Sequence, residues 1–496
     1  MPGTTELDTL FKESPDLDIN VHEYNINVTS NDGLLLSAEE VLEEFRRFDG
    51  ASRPTHLYFH LPLCDYICHF CNYVKKLVHA KNRIAELDTW TSNLIADSRF
   101  YLESFDWVNQ AKIKSFYIGG GTGALLLQHP DAARRLVGFV NSSYNMTECV
   151  ERSIEGNPEN FTTETVQLAA ELGFNRFSVG VQSLQDEVNG FANRKHSSSE
   201  AIRAVKLLSS SGYPFSVDLM FGLPHQTVQS ATNDVQRLVE LNVPAITIYR
   251  LRNSERERMG IGNASVWNQE KVKEKLDSNH LLPVVSETYA MRDSIVDVLL
   301  ANDYHPSPCG WWNKSGLYPE GNIPRVSKDK WEFYNTMLGY GPGAYGWLVG
   351  LNGKAVQLHN VTSIQDYNSM MNREPPVPGL AFGRLLEGNR AIGTRLGFGF
   401  KANQPIALEL YRKLYGVDLL TDMPYRAVFE ELLEKKFMVT VGDPITALKP
   451  TLKGEMVHEE IMFKYFHQRI GGSLLSGCMT SAGSEQGDGC EDASIS

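Results

Sequence analysis

The residues of this chain best suited to chemistry are three cysteines on one short stretch. Cys64, Cys68 and Cys71 form a C-x3-C-x2-C run directly after a strand-like segment, Thr55–Leu61. This spacing lets one loop present three thiolates to one face of an iron–sulfur cube, and a [4Fe-4S] cluster normally takes four cysteine ligands. Because no fourth cysteine lies near in the sequence, one iron would keep an open site, and open sites on metals are places for chemistry.

The same cysteines allow other interpretations. His60 and His69 could complete a zinc site, although such sites usually show two pairs of ligands. A disulfide would leave an odd thiol, and nothing in the sequence indicates an oxidising compartment. Three inert core cysteines are the third alternative, but the intervening Asp65 and Tyr66 indicate a loop. The iron–sulfur cluster is therefore the leading interpretation.

The composition argues against several classes of protein. The chain has 496 residues, of which 42% are apolar, so two or three domains with a sizeable core are expected. Its net charge is −13, whereas a general nucleic-acid binder is more often basic. The first twenty residues contain no apolar segment typical of a signal peptide, and no apolar run reaches the ~18 residues of a membrane span. We expect a cytoplasmic protein.

The cysteine run opens a regular alternation of strand-like and helix-like segments. The strand-like segments are Thr55–Leu61, Lys112–Ile118, Cys149–Glu155, Arg176–Gln182, Tyr213–Phe221 and Ala245–Leu251. Strands that alternate with helices predict right-handed βαβ units around a parallel sheet. Six units are fewer than the eight of a closed barrel, and in such folds the reactive residues lie at the C-terminal ends of strands.

Four of these strand ends carry residues that could bind a ligand. They are the glycine run Gly119–Gly123, Glu155, the pair Gln182 and Arg194, and Asp218. Glycines let a backbone approach a ligand closely, and an arginine can grip a carboxylate with two hydrogen bonds. The alternatives without a ligand are a tight turn at the glycine run, a solvated side chain for Glu155 and a surface position for Arg194. Asp218 is different, because a carboxylate in an apolar strand must face the barrel mouth or have a polar partner.

The cysteine run, with Tyr58 and His60 before it and Phe70 inside it, resembles the radical SAM superfamily. More narrowly, it resembles the oxygen-independent coproporphyrinogen III oxidase-like (HemN-like) branch, over roughly Arg53 to Gln468. In that family the unique iron binds S-adenosylmethionine (SAM), which an electron splits into methionine and a 5′-deoxyadenosyl radical. The resemblance implies a [4Fe-4S] cluster, SAM, an electron donor such as flavodoxin or ferredoxin, and a partial (β/α)6 barrel.

The resemblance also assigns roles to the residues at the strand ends. The run through Gly120, Gly121 and Thr122 is similar to a Gly-Gly-Gly-Thr-Pro element that contacts the methionine part of SAM. Gly123 stands where that element has proline, so we expect a looser turn. The other implied SAM-binding residues are Tyr58, Phe70, Glu155, Gln182, Arg194 and Asp218.

The rest of the chain is divided by the same resemblance. An N-terminal extension (1–52) precedes the barrel (53–262), a barrel-closing accessory region (263–375), a small winged-helix-like domain (376–470) and a tail (471–496) that is expected to be disordered. Leu338–Trp347 is similar to an element that closes over the barrel mouth, and its aromatic surroundings suit a flat, conjugated small molecule or a plain core. Arg250 and Arg252 could meet an acidic substrate or neutralise nearby glutamates, and Cys309 is either inert or catalytic.

Two departures from the family's motifs narrow the choice among members of this branch. Asn72 and Tyr73 follow the third cysteine where the decarboxylating enzymes have Gly-Cys, and residues 328–335 lack the histidine of the haem-chaperone relatives. We therefore predict the biosynthetic methylase or cyclopropanase type. It uses a second SAM, bound between the ends of strands five and six and Gly339–Gly346, to transfer a methyl or methylene group to an sp2 carbon. The alternatives are a coproporphyrinogen III oxidase, a haem-cleaving radical methyltransferase and a non-enzymatic haem chaperone.

Overall fold

The computed structural model describes residues 34–51, 53–251, 266–317, 335–350 and 353–472. The strands are β1 Leu34–Ser37, β2 Pro54–Leu61, β3 Leu63–Cys64, β4 Lys76–Leu77, β5 Lys112–Gly120, β6 Glu151–Gly156, β7 Arg176–Gln182, β8 Phe215–Phe221, β9 Ala245–Arg250, β10 Tyr304–Pro306, β11 Trp311–Lys314, β12 Thr336–Tyr340, β13 Tyr345–Val349, β14 Ala355–Asn360, β15 Leu380–Leu386, β16 Ile406–Ala407, β17 Met438–Val441 and β18 Ala447–Pro450.

The α-helices are α1 Ala38–Arg47, α2 Arg83–Ser104, α3 Asp106–Gln110, α4 Pro130–Ser143, α5 Thr163–Glu171, α6 Asp186–Phe191, α7 Ser198–Ser211, α8 Val228–Glu240, α9 Glu270–Ser278, α10 Val285–Ala301, α11 Ile364–Met371, α12 Gly388–Lys401, α13 Leu408–Tyr415, α14 Tyr425–Glu434, α15 Leu452–Met456 and α16 His458–Ile461. A π-helical segment, Met462–Ile470, follows. Several begin at side-chain caps predictable from sequence, such as Ser37 with Glu40 at α1. In the described part of the chain, no helix is both long and apolar enough to cross a membrane.

Six parallel strands form the centre of the fold, adjacent in the order β2–β5–β6–β7–β8–β9. The predicted alternation of strands and helices is confirmed, with observed bounds within two residues of the predicted ones at most strand ends. One face of the sheet is apolar: Leu57, Phe59 and Ile118 are buried in the main hydrophobic core. This face packs against the helices, because burial of apolar area drives the association.

The opposite face of these six strands is polar. His56 Nδ1 and Ser115 Oγ lie 2.7 Å apart, and Arg176, only 1% exposed, donates to Ser216 Oγ at 2.9 Å. A closed eight-stranded barrel is usually filled by aliphatic side chains on this face. The interior here instead offers hydrogen-bonding groups, which suits a bound polar ligand.

The sheet continues beyond both edges of the predicted barrel. β12 pairs in parallel with β2, with Gly339 opposite Tyr58, and β13, β14, β15 and β1 follow in antiparallel order. On the other side, β11 pairs with β9 and β10 with β11. The glycine-rich run predicted to cover the mouth is thus a strand beside β2. The turn after it holds Gly341 and Gly343 at positive φ, where side chains on them would collide with His60 and Val74.

The smaller C-terminal domain combines α12 to α16 with a three-stranded sheet, in the order β16–β18–β17. In this domain Ile406–Ala407 pairs with β18 before α13 starts. This domain reaches both margins of the open barrel. Phe398 packs on Trp347 of β13 with ring centroids 5.7 Å apart, and Glu460 Oε1 lies 2.8 Å from Arg250 Nη2 of β9.

Candidate active site

The cysteine loop is held by backbone hydrogen bonds at the C-terminal end of β2. Cys64 pairs with Leu77 in the β3–β4 ladder, its carbonyl accepts from Val78 N at 2.9 Å, and Cys71 N donates to Cys68 O at 3.2 Å. Burial, followed by the neighbouring Cys71 and Cys68 thiols, raises the pKa of Cys64. The loop is therefore fixed at the strand end, with the three thiols close enough to influence one another's ionisation.

The two histidines proposed as zinc ligands have other partners. His60 Nε2 lies 2.9 Å from Val74 O and its Nδ1 lies 3.1 Å from Tyr58 OH, while His69 Nδ1 lies 3.1 Å from Phe191 O. Across the described ranges, no three Cys, His, Asp or Glu side chains are arranged to hold one metal ion. In a cube each cysteine binds a different iron. The loop therefore fits a [4Fe-4S] cluster better than a single zinc ion.

Two side chains donate hydrogen bonds to the cysteine sulfurs. Thr122 Oγ1 donates to Cys64 Sγ at 3.6 Å, and Arg194 Nη1 donates to Cys68 Sγ at 3.4 Å. Donors directed at ligand sulfurs orient the ligands and tune a cluster. The loop and its surroundings together fit a cluster with three cysteine ligands.

The glycine run packs directly against the cysteine loop. Gly120 has φ +112°, and a Cβ on it would stand 2.8 Å from the His60 ring, while a Cβ on Gly121 would stand 2.7 Å from Leu63 O. The expectation of a loose turn at Gly123 was wrong. The chain enters a short 3-10 helix there, and a Cβ at Gly123 would stand 2.7 Å from Ile118 O.

Glu155 lies at the end of β6 with both carboxylate oxygens engaged. Oε1 accepts from Gly120 N at 2.6 Å and Oε2 accepts from Tyr117 OH at 2.7 Å. Burial, with a smaller contribution from Asp218, raises the pKa of Glu155 to about 7. The carboxylate is therefore held in one orientation and is poised to ionise near neutral pH.

Asp218, on β8, is the second carboxylate in the interior. Its Oδ2 accepts from Ser178 Oγ at 3.4 Å, and burial raises its pKa to about 6. Thr247 lies beside it, but Asp218 Oδ1 has no partner of good hydrogen-bond geometry among the described residues. A buried acceptor without a partner is costly, so this oxygen suits a ligand hydroxyl.

Gln182 ends β7 and Arg194 follows the strand, as predicted. The Arg194 guanidinium already has partners within the protein. Gln182 has φ +69°, and its amide lies over Gly180. Arg194 Nη2 donates to Asn157 Oδ1 at 3.0 Å and to the Gly180 carbonyl, while Nη1 contacts Cys68. Both terminal nitrogens of this guanidinium are therefore already engaged.

The two predicted aromatic residues lie in different surroundings. Tyr58 packs on Tyr117 with ring centroids 5.9 Å apart, on the polar face of the sheet. The Phe70 ring instead packs on Trp267, at 6.2 Å, beside a small apolar cluster that contains Val188 and Leu223. The structure thus groups Tyr58 with Glu155, whereas Phe70 supports the outer part of the loop.

Comparison with known proteins agrees with this geometry. Residues 58–238 match the family model described as the radical SAM superfamily. The solved structure of the Escherichia coli coproporphyrinogen III oxidase HemN, a radical SAM enzyme, superposes with a TM-score of 0.70 over 87% of this chain and 94% of that one, at 19% identity. Residues 58–238 form a radical SAM domain, and the fold of the chain is that of HemN.

Curated relatives of this radical SAM chain have two different names. The heme chaperone HemW of Bacillus subtilis is 22% identical over 82% of this chain and 97% of its own length. The HemW of Lactococcus lactis is 26% identical over 61% and 72%. The oxygen-independent coproporphyrinogen III oxidase of Paracoccus denitrificans is 29% identical over 42% and 46%.

A group of tyrosines in the radical SAM domain and beside it was missed at the sequence level. We define the tyrosine chamber as Tyr117, which donates to Glu155, and the tyrosines linked to it or to Glu155 by ring contact or electrostatic effect: Tyr58, Tyr73, Tyr249 and Tyr345. Burial and the Glu155 carboxylate raise the pKa of Tyr58, and Tyr345 and Tyr73 add to the shift. The Tyr249 side chain is 41% exposed. Burial of its hydroxyl, followed by the Asp218 and Glu155 carboxylates, raises its pKa. The signal was present as alternating polar residues along the strands.

Two further expectations are settled by contacts outside this site. Arg250 Nη1 donates to Tyr289 OH at 2.7 Å and Nη2 to Glu460 Oε1 at 2.8 Å, so it joins the C-terminal domain to the barrel. Cys309 is buried, its thiol donates to Phe400 O at 3.6 Å, and burial raises its pKa. Both side chains are therefore buried in contacts within the protein. Arg252, most of 328–335 and the tail after residue 472 lie outside the described residues.

Proposed function

We propose that this chain is a radical SAM enzyme that cleaves SAM reductively at a [4Fe-4S] cluster held by Cys64, Cys68 and Cys71. The observation that carries the proposal is the contact of the cysteine loop with Thr122 and Arg194, beside the glycine run that holds Glu155. When bound, the cluster supplies the electron that splits SAM, and a low-potential one-electron donor replaces it.

The proposal gives this chain's residues distinct tasks. Glu155, fixed by Tyr117 and Gly120 N, accepts a hydrogen bond from the amino group of SAM, because an ionised carboxylate is a strong acceptor in a dry site. Asp218 Oδ1 accepts from a ribose hydroxyl, which gives this buried atom the partner it lacks. The packed glycine run closes one wall and excludes water from these groups.

The tyrosine chamber supports a planar, conjugated substrate and the predicted two-SAM reaction. Aromatic faces stack on flat ligands and attract cations, including the sulfonium of a second SAM. The specific reaction that we propose is transfer of a methyl or methylene group from this second SAM to an sp2 carbon of the substrate. Tyr73 and Tyr249, the two exposed members, would border the space that both share.

The test is anaerobic reconstitution followed by mass spectrometry of all adenosyl products. With SAM and reductant, the wild-type protein should form 5′-deoxyadenosine, and Cys64→Ala, Cys68→Ala and Cys71→Ala should each abolish it. Cys149→Ala is the matched control, because its thiol donates to Glu151 O away from the loop. Wild-type protein that holds no iron would refute the proposal. Consumption of one SAM per product, with neither S-adenosylhomocysteine nor methylthioadenosine formed, would refute the two-SAM reaction alone.

A haem carrier is the second candidate, favoured by the relatives named as heme chaperones. This candidate predicts stoichiometric haem binding, which absorbance spectroscopy would measure. It also predicts that SAM yields no product except uncoupled 5′-deoxyadenosine. Turnover of coproporphyrinogen, or cleavage of haem during anaerobic incubation with SAM, would instead identify the decarboxylase or the haem-cleaving methyltransferase.

A further inference from the structure

One arginine is built into the site as a hydrogen-bond donor to a cysteine of the loop. We infer that Arg194 is a positioning residue that acts through Cys68 to raise the reduction potential of the cluster. The inference rests on the proposed function, because it requires a cluster on Cys68. The observation behind it is the 3.4 Å contact between Arg194 Nη1 and Cys68 Sγ.

The Arg194 guanidinium is fixed from several sides. Arg194 is 5% exposed, and its Nη2 donates to Asn157 Oδ1 at 3.0 Å and to the Gly180 carbonyl. Its Cζ lies 5.9 Å from the ring of Tyr66, which belongs to the same loop as Cys68. The cation can therefore neither turn away from the sulfur nor reach bulk water without breaking these contacts.

Carboxylates and a histidine surround this guanidinium. Glu159 and Asp218 both act electrostatically on Arg194. Glu159 Oε1 accepts from Tyr66 OH at 2.7 Å, and its Oε2 lies 3.8 Å from His196 Nδ1. His196 is neutral at physiological pH, since burial and then Arg194 lower its pKa to about 3. The Arg194 charge is therefore partly offset, and its hydrogen bond is its direct contact with the loop sulfur.

The effect on a cluster follows from charge. Reduction adds one negative charge, and a fixed cation with an N–H···S hydrogen bond stabilises the more negative state. The interaction is strong because the site is buried and water screens it little. The resemblance implies that Arg194 also contacts SAM, and its Nε is a buried donor without a partner among the described residues. The effect on the sulfur is therefore measured without SAM.

The experiment is a redox titration of the reconstituted [4Fe-4S] protein without SAM, followed by electron paramagnetic resonance. Arg194→Met should lower the equilibrium constant for one-electron reduction at least tenfold, which corresponds to about 59 mV. Arg83→Gln is the matched control. Arg83 pairs with Asp65 of the same loop at 2.6 Å but is more exposed, and the described contacts show no bond from it to a sulfur. The control should change the constant less than threefold.

The outcomes separate this inference from the proposed function. An unchanged potential in cluster-loaded Arg194→Met, or an equal shift in Arg83→Gln, would overturn the inference and leave the proposed function standing. If Arg194→Met loses the cluster, Arg194→Gln decides, because its amide can still donate to the Gly180 carbonyl but carries no charge. A lower potential in Arg194→Gln supports the inference and a wild-type potential overturns it. Failure of the wild-type protein to bind iron would remove the proposed function itself.

Discussion

Tyr117 donates its phenolic hydrogen to Glu155 Oε2 at 2.7 Å, while the Gly120 amide binds the other carboxylate oxygen. β5 therefore sets the orientation of a carboxylate that belongs to β6. The two hydrogen bonds favour the ionised form, but burial outweighs them and raises the pKa of Glu155 to about 7. Two predictions depend on this balance.

The first prediction concerns the affinity for SAM. Between pH 5.5 and 6.5 the affinity should rise about tenfold or more, because Glu155, with a pKa of about 7, must ionise to accept from the SAM amino group. Equilibrium dialysis of the cluster-loaded protein measures this. Glu155→Gln should bind SAM weakly and with a shallower dependence on pH over this range. A flat profile in the wild type would contradict the assigned role.

The second prediction concerns the stability of the cluster-free protein. Because the pKa of Glu155 is raised from 4.5 to about 7, its favourable contribution is complete below pH 4.5 and is lost as pH rises through 7. Glu155→Gln should therefore gain stability relative to wild type between pH 5 and pH 8, by up to roughly 3 kcal/mol. Urea unfolding at the two pH values checks the sign, and a relative loss at pH 8 would contradict it.

The third prediction concerns the glycine run. Gly121→Ala should prevent the cysteine loop from seating and reduce bound iron at least fivefold, because the new Cβ would stand 2.7 Å from backbone atoms of Pro62 and Leu63. Gly138→Ala is the control. It lies in α4 with open space around it, so it should keep its iron and gain up to about 1 kcal/mol. Iron content and urea unfolding measure both effects. Normal iron loading in Gly121→Ala would be the contrary result.

The fourth prediction concerns the attachment of the C-terminal domain. Arg250→Ala should destabilise the protein by about 3–5 kcal/mol, because Glu460 would remain buried without its partner. Arg426→Ala removes an exposed pair with Glu430 and should cost less than about 1 kcal/mol. Equal losses in urea unfolding for the two variants would show that the Arg250 contact is not a structural anchor.

The fifth prediction concerns Cys309. Cys309→Ala should form 5′-deoxyadenosine within twofold of wild type, since its thiol is buried against Phe400 O and is not shown beside the cysteine loop. Truncation of a small buried group should cost about 1 kcal/mol in urea unfolding. A tenfold loss of 5′-deoxyadenosine formation in a folded variant would contradict this prediction and indicate a catalytic role for the Cys309 thiol.

Local sequence patterns were enough to predict the strands and helices of the barrel. They could not predict the strands that pair with its two edges. Periodicity and helix caps predict the strand–helix alternation because each signal lies within about twenty residues. β12 pairs with β2 across more than 270 residues, and no local pattern specifies such a partner. The same limit applies to the site. Arg194 reaches Cys68 over 126 residues, so the spacing of either residue could not indicate their contact.

The turn that carries Gly341 and Gly343 lies against His60 and Val74, which flank the cysteine loop. During synthesis the three cysteines leave the ribosome long before this turn exists. The loop can take its braced shape only after at least 343 residues have been made. We expect iron loading to be a late step of maturation, carried out on a nearly finished chain.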